Sequence, residues 1–201
     1  MTRDERRRAI EAAAHDLRQP LQIIAMTLGA VERDDGVKYA AALARAKRAL
    51  EILEYSVDQC ADSLRLGFGE WRPVMKSFEL RPLMKALDAE YDAFAANGGV
   101  RLRFAVPHLK VRSDPEMLGR LVGNLIVNAV TRTQRGAVLV GARRRTGGVL
   151  LQVFDTGGAR ARQKLGLGFQ LARRLAQALG YTLSARSVPG KGSCCSVVIG
   201  L

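Results

Sequence analysis

Apolar residues recur with helical spacing through the first third of the chain. Between about residues 4 and 33, steps of three, four and seven form one stripe, made of Ile10, Leu17, Leu21, Ile24, Leu28 and Val31. From Val37 to Leu64 a second stripe alternates steps of three and four, as in a coiled-coil seam: Leu43, Ala46, Leu50, Leu53, Val57, Cys60 and Leu64. A turn at Arg33–Gly36 separates the stripes, so the pattern predicts an antiparallel helical hairpin. Because a lone hairpin has too little core, we expect a second copy to complete a dimeric four-helix bundle.

The pattern changes after Gly67, Gly69 and Pro73. These residues predict a linker over 67–73, between a helical domain at 1–66 and a second domain at 74–201. The second domain alternates strand-like segments (74–80, 100–106, 109–112, 137–143, 149–154, 181–187 and 194–199) with helical ones (81–96, 115–130 and 168–179). The sequence therefore predicts an α+β protein, in which the hairpin is followed by an α/β sandwich with helices on one face of a mixed sheet.

Charge is distributed unevenly between the two domains. The net charge is +13, but residues 1–64 hold ten Lys and Arg against eleven Asp and Glu, whereas residues 65–201 hold 22 against 8. Such a basic region suits nucleic acid, an anionic membrane surface or a polyanionic small molecule. Aromatic residues are only 5% of the chain, and a single-strand binder interleaves aromatic with basic residues, so we expect no nucleic-acid partner.

Membrane insertion, disulfides and metal–cysteine sites are all disfavoured by the sequence. No apolar run approaches the ~18 residues of a membrane span, so we expect no membrane segment in this chain. The Arg-rich N-terminus lacks an apolar signal core, which favours a cytoplasmic location. Cys60, Cys194 and Cys195 are odd in number and lack ligand spacing.

The first candidate for chemistry is the pair His15-Asp16, which is followed by Pro20. Proline removes the backbone donor that would bond the carbonyl of Asp16, so the helix should bend beside the imidazole. His15 also lies off the apolar stripe, and its ring should therefore be reachable from solvent. A surface histidine without a function is the plainer interpretation, but motifs in the second domain favour a reactive one.

Three segments of the second domain carry candidate ligand-binding groups. Asn124 and Asn128 share a helix face beside an apolar stripe, where a Mg²⁺ ion with its waters and phosphates would satisfy their amides. Asp155 ends a buried strand and is followed by Gly157, an arrangement that suits recognition of a base amine. Gly166 and Gly168 open a helix whose N-terminal N–H groups can hold phosphate.

Together these motifs resemble the catalytic core of a bacterial sensor histidine kinase, with a GHKL-type ATP-binding domain after a dimerisation hairpin. The stretch His15–Leu21 resembles the H-box, in the variant with Asp after His and Gln four residues on. The other motifs resemble the N-box (Asn124 to Asn128), the two glycine boxes (Asp155–Gly157 and Gly166–Gly168) and the small turn before the last strand (Gly190–Ser193).

The resemblance implies a role for each of these residues. His15 would be the phospho-acceptor that attacks the γ-phosphoryl group of ATP, while Asp16 orients it and takes its proton. Gln19 would orient water for the reverse, phosphatase reaction. Asn128, with Asn124 near it, would hold Mg²⁺, Asp155 would bind the adenine amine, and Arg132 would reach phosphate or stack on the base. The implied partners are a response-regulator receiver domain and a second copy of the chain, joined through the hairpin.

Departures from the family pattern keep an alternative open. Only Ala159–Leu165 separate Gly158 from Gly166, so the ATP lid is short, and Ala159 replaces a glycine. Thr131 stands where relatives commonly carry Lys or Arg. Arg160, Arg162 and Lys164 would replace lost phosphate contacts or would be solvated loop charges. We interpret the chain as an ATP-dependent protein-histidine kinase; the alternative is a lid-truncated pseudokinase that acts as a histidine phosphotransferase or phosphatase.

Overall fold

The chain divides into two compact units, Met1–Phe68 and Gly69–Leu201. The computed structural model describes residues 17–18, 20–27, 39–133, 135–157, 166–188 and 190–200. In the first unit, residues 17, 18 and 20–27 are helical (α1), and α2 spans Tyr39–Gly67. The predicted second helix therefore extends three residues beyond Leu64. The predicted turn at Arg33–Gly36 lies outside the described residues.

Helix α2 presents one row of its predicted seam to solvent within the single chain. Every seventh residue is a large apolar side chain that is about half exposed: Leu43, Leu50, Val57 and Leu64, at 57, 48, 53 and 57%. The side chains of α2 that are buried are small or polar, namely Ala42, Ala49, Ser56, Gln59 and Asp62. The hydroxyl of Ser56 donates to the carbonyl of Ile52 at 2.8 Å. A heptad row is thus left uncovered along most of the helix.

The second unit is an α/β sandwich, as predicted. Its strands are β1 (Lys76–Glu79), β2 (Val100–Ala105), β3 (Lys110–Ser113), β4 (Gly136–Arg145), β5 (Gly148–Asp155), β6 (Thr182–Val188) and β7 (Gly192–Gly200). Its helices are α3 (Leu80–Asn97), α4 (Pro115–Arg132) and α5 (Leu167–Ala178). Five strands form a mixed sheet in the order β2-β4-β5-β7-β6, in which only the β2–β4 pair is parallel.

Strands β1 and β3 form a separate two-stranded antiparallel sheet, which the sequence pattern does not predict. Strand β1 is also shorter than expected. It ends at Glu79 because Leu80 already begins α3, and the N–H of Leu80 donates to the carbonyl of Leu109 at 2.8 Å. An apolar residue at such a junction fits either element, so periodicity alone does not place the boundary.

The core lies between the helices and one face of the five-stranded sheet. The buried strand residues alternate with outward ones and include Val138, Val140, Leu151, Val153, Val197 and Ile199. Helix α4 contacts β4 and β5, α5 packs on α4, and α3 packs on β2. Leu118, Leu121, Leu125 and Ile126 of α4 are 0–1% exposed, and each such side chain contributes about 1.5–3 kcal/mol by leaving water. Helix α4 is therefore the centre of the second unit.

The start of α4 and the end of α5 both follow the capping chemistry that the sequence indicates. Asp114 caps α4 as its Oδ1 accepts from the N–H of Met117 at 3.0 Å, with Pro115 next in the chain. The other oxygen, Oδ2, accepts from the N–H of Val74 at 2.6 Å, which fastens the start of the second unit to α4. Helix α5 ends just before Gly180, whose φ is +76°.

Candidate functional site

Helix α4 carries two of the predicted ligand residues, and its own backbone orients them. The amide nitrogen of Asn124 donates to the carbonyl of Arg120 at 2.7 Å, and that of Asn128 donates to the carbonyl of Asn124 at 2.8 Å. Asn124 is 2% exposed, whereas Asn128 is partly exposed. Each side-chain nitrogen uses one of its two N–H groups in this way, and the side-chain oxygens are the acceptors that a cation would need.

The side-chain oxygen of Asn124 is buried and has no hydrogen-bond partner within the described residues. A buried acceptor left without a donor costs about 1–3 kcal/mol, so such an atom points to a bound water, ion or ligand. Mg²⁺ prefers oxygen ligands and takes only one or two from the protein when substrate phosphates supply others. The amide oxygens of α4 fit that requirement. Among the described residues no cluster of three His, Cys, Asp or Glu offers another metal site.

Asp155 lies at the end of β5, between β4 and β7 in the sheet. Its Oδ1 accepts from the N–H of Gly157 at 3.0 Å, and Ser193 donates to the carboxylate with both its N–H and its hydroxyl. Burial raises the pKa of Asp155; the hydrogen bond from Gly157, the charge of Arg132 and the bonds from Ser193 oppose that rise without cancelling it. The carboxylate is therefore fixed in position and poorly solvated, which suits it to accept a hydrogen bond from a ligand.

Two glycines near Asp155, Gly157 and Gly192, lie too close to neighbouring backbone to carry a side chain. A Cβ at Gly157 would lie 2.8 Å from the carbonyl oxygen of Arg132 and 3.0 Å from Oδ1 of Asp155. A Cβ at Gly192, whose φ is +95°, would lie 1.9 Å from the carbonyl oxygen of Asp155. Thr156 is held by β4, since its N–H donates to the carbonyl of Ala137 at 3.1 Å and its hydroxyl accepts from the N–H of Ala137 at 3.0 Å.

The end of α4 meets the end of β5. Arg132 is the last residue of α4, and its charge acts on Asp155 and on Cys195. Thr131 is turned to its own helix, because its hydroxyl donates to the carbonyl of Val127 at 2.8 Å. Burial raises the pKa of Cys195 to about 11, with the neighbouring Cys194 and Asp155 adding to the effect and Arg132 opposing it. That thiol stays protonated at neutral pH and is not a nucleophile.

The predicted glycines Gly166 and Gly168 lie at the start of α5. Gly166 is the residue before the helix, and its carbonyl accepts from the N–H of Gln170 at 3.3 Å. Leu167 and Gly168 are buried within the second unit. A helix start of this kind leaves N–H groups without intrahelical partners, and these can bind an anion.

The structure brings several predicted site residues together and leaves others undescribed. Arg132, Asp155 and Gly157 meet where α4 and β5 end, and Asn128 and Asn124 lie one and two turns earlier on α4. Gly166 and Gly168 begin the helix that packs on α4. The other predicted residues lie outside the described residues: His15, Asp16, Gln19 and the short lid Ala159–Leu165.

Sequence reasoning missed the part that Ser193 plays. The motif Gly190–Ser193 is visible as a turn, but nothing in its letters says that the serine faces a carboxylate. The register of β5 with β7 places Ser193 opposite Asp155, and the hydroxyl of Ser187 lies 2.9 Å from that of Ser193. Pairing the two predicted strands by their inward-facing residues is the signal that would have found this contact.

Part of the second unit matches an ATPase family in the comparison with known proteins. Residues 113–201 match the family of histidine kinase-, DNA gyrase B- and HSP90-like ATPases. This span contains α4, Asp155 and the start of α5. Over these residues the chain resembles the ATPase domain that histidine kinases share with DNA gyrase B and HSP90.

Sensor proteins are among the relatives of this chain. It is 28% identical over 217 residues to sensor protein KdpD of Mycobacterium tuberculosis, covering 94% of this chain and 25% of KdpD. It is 29% identical over 202 residues to sensor protein DivL of Caulobacter vibrioides, covering 90% of this chain and 26% of DivL. The chain thus spans about a quarter of the length of these two relatives.

Solved structures share the fold of this chain. Acinetobacter baumannii histidine kinase AdeS matches with a TM-score of 0.67 at 17% identity, over 92% of this chain and 97% of that one. Full-length ShkA in complex with AMPPNP matches with a TM-score of 0.62 at 21% identity, over 97% of this chain and 46% of that one. No helix of the described residues combines the length and apolarity of a membrane span.

Proposed function

We propose that this chain is the core of an ATP-dependent protein-histidine kinase that phosphorylates itself on His15. The phosphoryl group then passes to an aspartate of a response-regulator receiver domain. Support comes from the ATPase family match, from relatives named sensor proteins, and from a neighbour whose structure was solved with AMPPNP. The observation that carries the proposal is the meeting of Arg132, Asp155 and Gly157 beside the two asparagines of α4.

In this proposal the second unit binds ATP. Asp155 accepts a hydrogen bond from the adenine amine, and Gly157 allows the base to approach the backbone. The N-terminal N–H groups of α5, after Gly166 and Gly168, bind phosphate oxygens. The amide oxygen of Asn128, with that of Asn124 near it, would hold Mg²⁺, which neutralises phosphate charge when it is bound. Arg132 supplies further positive charge from the end of α4.

Phosphoryl transfer begins at the imidazole of His15. One ring nitrogen attacks the γ-phosphorus, a P–N bond forms, and the bond from that phosphorus to the β–γ bridging oxygen breaks, so that ADP leaves. Asp16 takes the proton from the attacking imidazole and keeps the ring oriented. Positioning and charge neutralisation provide most of the catalysis in a reaction of this class.

The phosphoryl group next moves to the receiver domain, where an aspartate oxygen attacks phosphorus and the P–N bond breaks. Gln19 orients water for the reverse, phosphatase reaction. The chain acts as a homodimer through the hairpin. The half-exposed heptad row Leu43, Leu50, Val57 and Leu64 supports this, because a second copy of the row would cover it.

A phosphorylation assay with γ-labelled ATP and Mg²⁺ tests the proposal. We expect acid-labile label on the wild type, none on His15→Ala, and strongly reduced label on Asp155→Asn. Nucleotide binding measured by calorimetry separates the two variants, since His15→Ala should retain it. Label that persists on His15→Ala would overturn the assignment of the phospho-acceptor.

The labelling assay and the nucleotide-binding measurement also test the pseudokinase alternative. A wild-type chain that binds no nucleotide, yet accepts a phosphoryl group on His15 from a phosphorylated receiver, would be a phosphotransfer module. The relatives named sensor proteins favour the kinase, and the atoms of Asn124, Asn128 and Asp155 retain the chemistry that a nucleotide requires.

A further inference from the structure

The five-stranded sheet has a second face, opposite to the one that carries Asp155 and the helices. Its centre is a single row of residues aligned by the strand register, one from each strand: Arg103, Leu139, Phe154, Cys194 and Arg186. Since neighbouring strands lie about 4.8 Å apart, the row is about 19 Å long. We name the outward positions of these five strands the outer sheet face.

The middle of the outer sheet face is apolar and exposed. Leu139 and Phe154 are each 39% exposed, and Val188, next to the end of the row, is 41% exposed. Beside the row, the side-chain amide of Gln152 donates to the hydroxyl of Ser196 at 3.0 Å across two strands. The surface is therefore built on paired strands and is ordered before any partner binds.

The rim of the outer sheet face is positively charged. Exposed arginines occupy its outward positions on three strands: Arg101, Arg103, Arg143, Arg145 and Arg186. No Asp or Glu occupies an outward position on any of the five strands, and the one carboxylate in these strands, Asp155, lies on the opposite face. An apolar centre with a purely basic rim is complementary to apolar side chains flanked by carboxylates.

The outer sheet face continues around β2, which is one of the two edge strands of the five-stranded sheet. There an open hollow of about 390 Å³ lies between the end of α3 and β2, and its lining includes Ala96, Arg101, Arg103 and one carboxylate, Asp92. Two arginines of the basic rim thus also line a concave site that can receive a side chain.

We propose that the outer sheet face is a docking surface for an acidic, amphipathic segment of a partner protein. Nucleic acid fits less well, because base stacking uses several aromatic rings and this face offers only Phe154 beside aliphatic Leu139 and Val188. An anionic membrane also fits less well, because insertion needs protruding apolar groups and these side chains rise from a flat sheet. The surface does not depend on nucleotide binding, since it lies on the far side of the sheet from α4.

Fluorescence anisotropy with the full chain tests this surface. The probe is a labelled helical peptide with a Leu stripe flanked by Glu, compared with the same peptide carrying Lys in place of Glu. We expect the Glu peptide to bind, the Lys peptide not to bind, and the affinity to fall with added salt. NMR shift changes caused by the Glu peptide should centre on Leu139, Phe154 and Cys194.

Charge reversal and truncation locate the binding site. Arg103→Glu with Arg186→Glu should weaken the Glu peptide about tenfold or more, and Phe154→Ala about tenfold. A matched control, Lys85→Glu with Arg173→Glu, changes the net charge equally on exposed positions of α3 and α5 and should change affinity less than about twofold. All three positions changed on the sheet are exposed, and circular dichroism verifies folding.

Several results would overturn the proposal. They are no binding of the Glu peptide, equal binding of the Lys peptide, equal weakening by the control pair, and shift changes away from the outer sheet face. Preferential binding of a uridine oligonucleotide or of phosphatidylserine vesicles, lost on Arg103→Glu with Arg186→Glu, would replace it with a nucleic-acid or a membrane surface.

Discussion

Helices α2 and α4 carry similar numbers of apolar residues per turn but bury them differently. Helix α4 encloses its leucines within one copy of the chain, where Leu118 and Leu121 are 0% exposed. Helix α2 buries Ala42, Ala49 and three polar residues, and leaves Leu50 and Val57 about half exposed. A heptad that faces outward and a stripe that faces inward look alike in sequence. The comparison indicates that the second unit has a complete core, whereas the described part of the first leaves large apolar side chains exposed, as the proposed dimer requires.

The largest expected effect tests the complete core. Leu121→Ala removes a fully buried side chain from the centre of the second unit and should lower the free energy of unfolding by about 2–5 kcal/mol. Urea denaturation followed by circular dichroism measures it. The effect should not depend on protein concentration. A loss below about 1 kcal/mol would mean that the core repacks easily around α4.

A smaller effect should follow from truncating the exposed row. Leu50→Ala with Val57→Ala removes side chains that are half exposed in one copy and that a dimer would cover. We expect at least a tenfold rise in the dimer dissociation constant, about 1.4 kcal/mol, measured by sedimentation equilibrium. Lys47→Ala, on an exposed position outside the row, is the control. If the double variant associates as the wild type does, this row is not the dimer seam.

The cap of α4 should contribute about as much as an ordinary helix cap. Asp114→Ala removes the acceptor for the N–H groups of Met117 and Val74 and should cost about 1–2 kcal/mol in thermal or urea unfolding. Asp114→Asn keeps only one acceptor oxygen, so it should lose one of these two hydrogen bonds and cost about half as much. Equal losses in the two variants would show that the charge of Asp114 matters more than the hydrogen bonds.

The smallest effect concerns pH. Burial raises the pKa of Asp155 in the folded protein, so the folded state holds this proton more tightly than the unfolded state does. The free energy of unfolding should therefore fall as the pH rises from the ordinary value of 3.8 to the raised folded pKa, and stay lower above it. Asp155→Asn should flatten this slope in urea titrations between acid and neutral pH. An unchanged slope would mean that a group other than Asp155 causes the pH dependence.

Most elements of the second unit were predictable because their local signals agree with the fold. Asp114-Pro115 starts α4 and Gly180 ends α5 as capping chemistry requires, and the fold class is confirmed. The boundary at Leu80 was less predictable, since one apolar residue serves both strand and helix. The isolation of β1 and β3 from the main sheet depends on long-range pairing that leaves no periodic trace.

The candidate site was predictable in its positions but not in its details. Asn124, Asn128 and Asp155 stand out because polar residues beside apolar stripes need partners. That Thr131 bonds to Val127, or that Ser193 faces Asp155, depends on rotamers and register that a single sequence does not display. The outer sheet face also escaped prediction, because its residues come from five separate strands and meet only through pairing.

Two glycines in the last hairpin, Gly190 and Gly192, are required for different structural reasons. Gly190 has a φ of +73° with open space around its missing side chain, so only the handedness of its backbone constrains it, and asparagine is a tolerable replacement. Gly192 has no room at all, since any substituent would collide with the carbonyl of Asp155. A saturation library across this hairpin should therefore be permissive at the first position and closed at the second. A side chain at Gly192 would separate β7 from β5 and would therefore displace Asp155 at the end of β5.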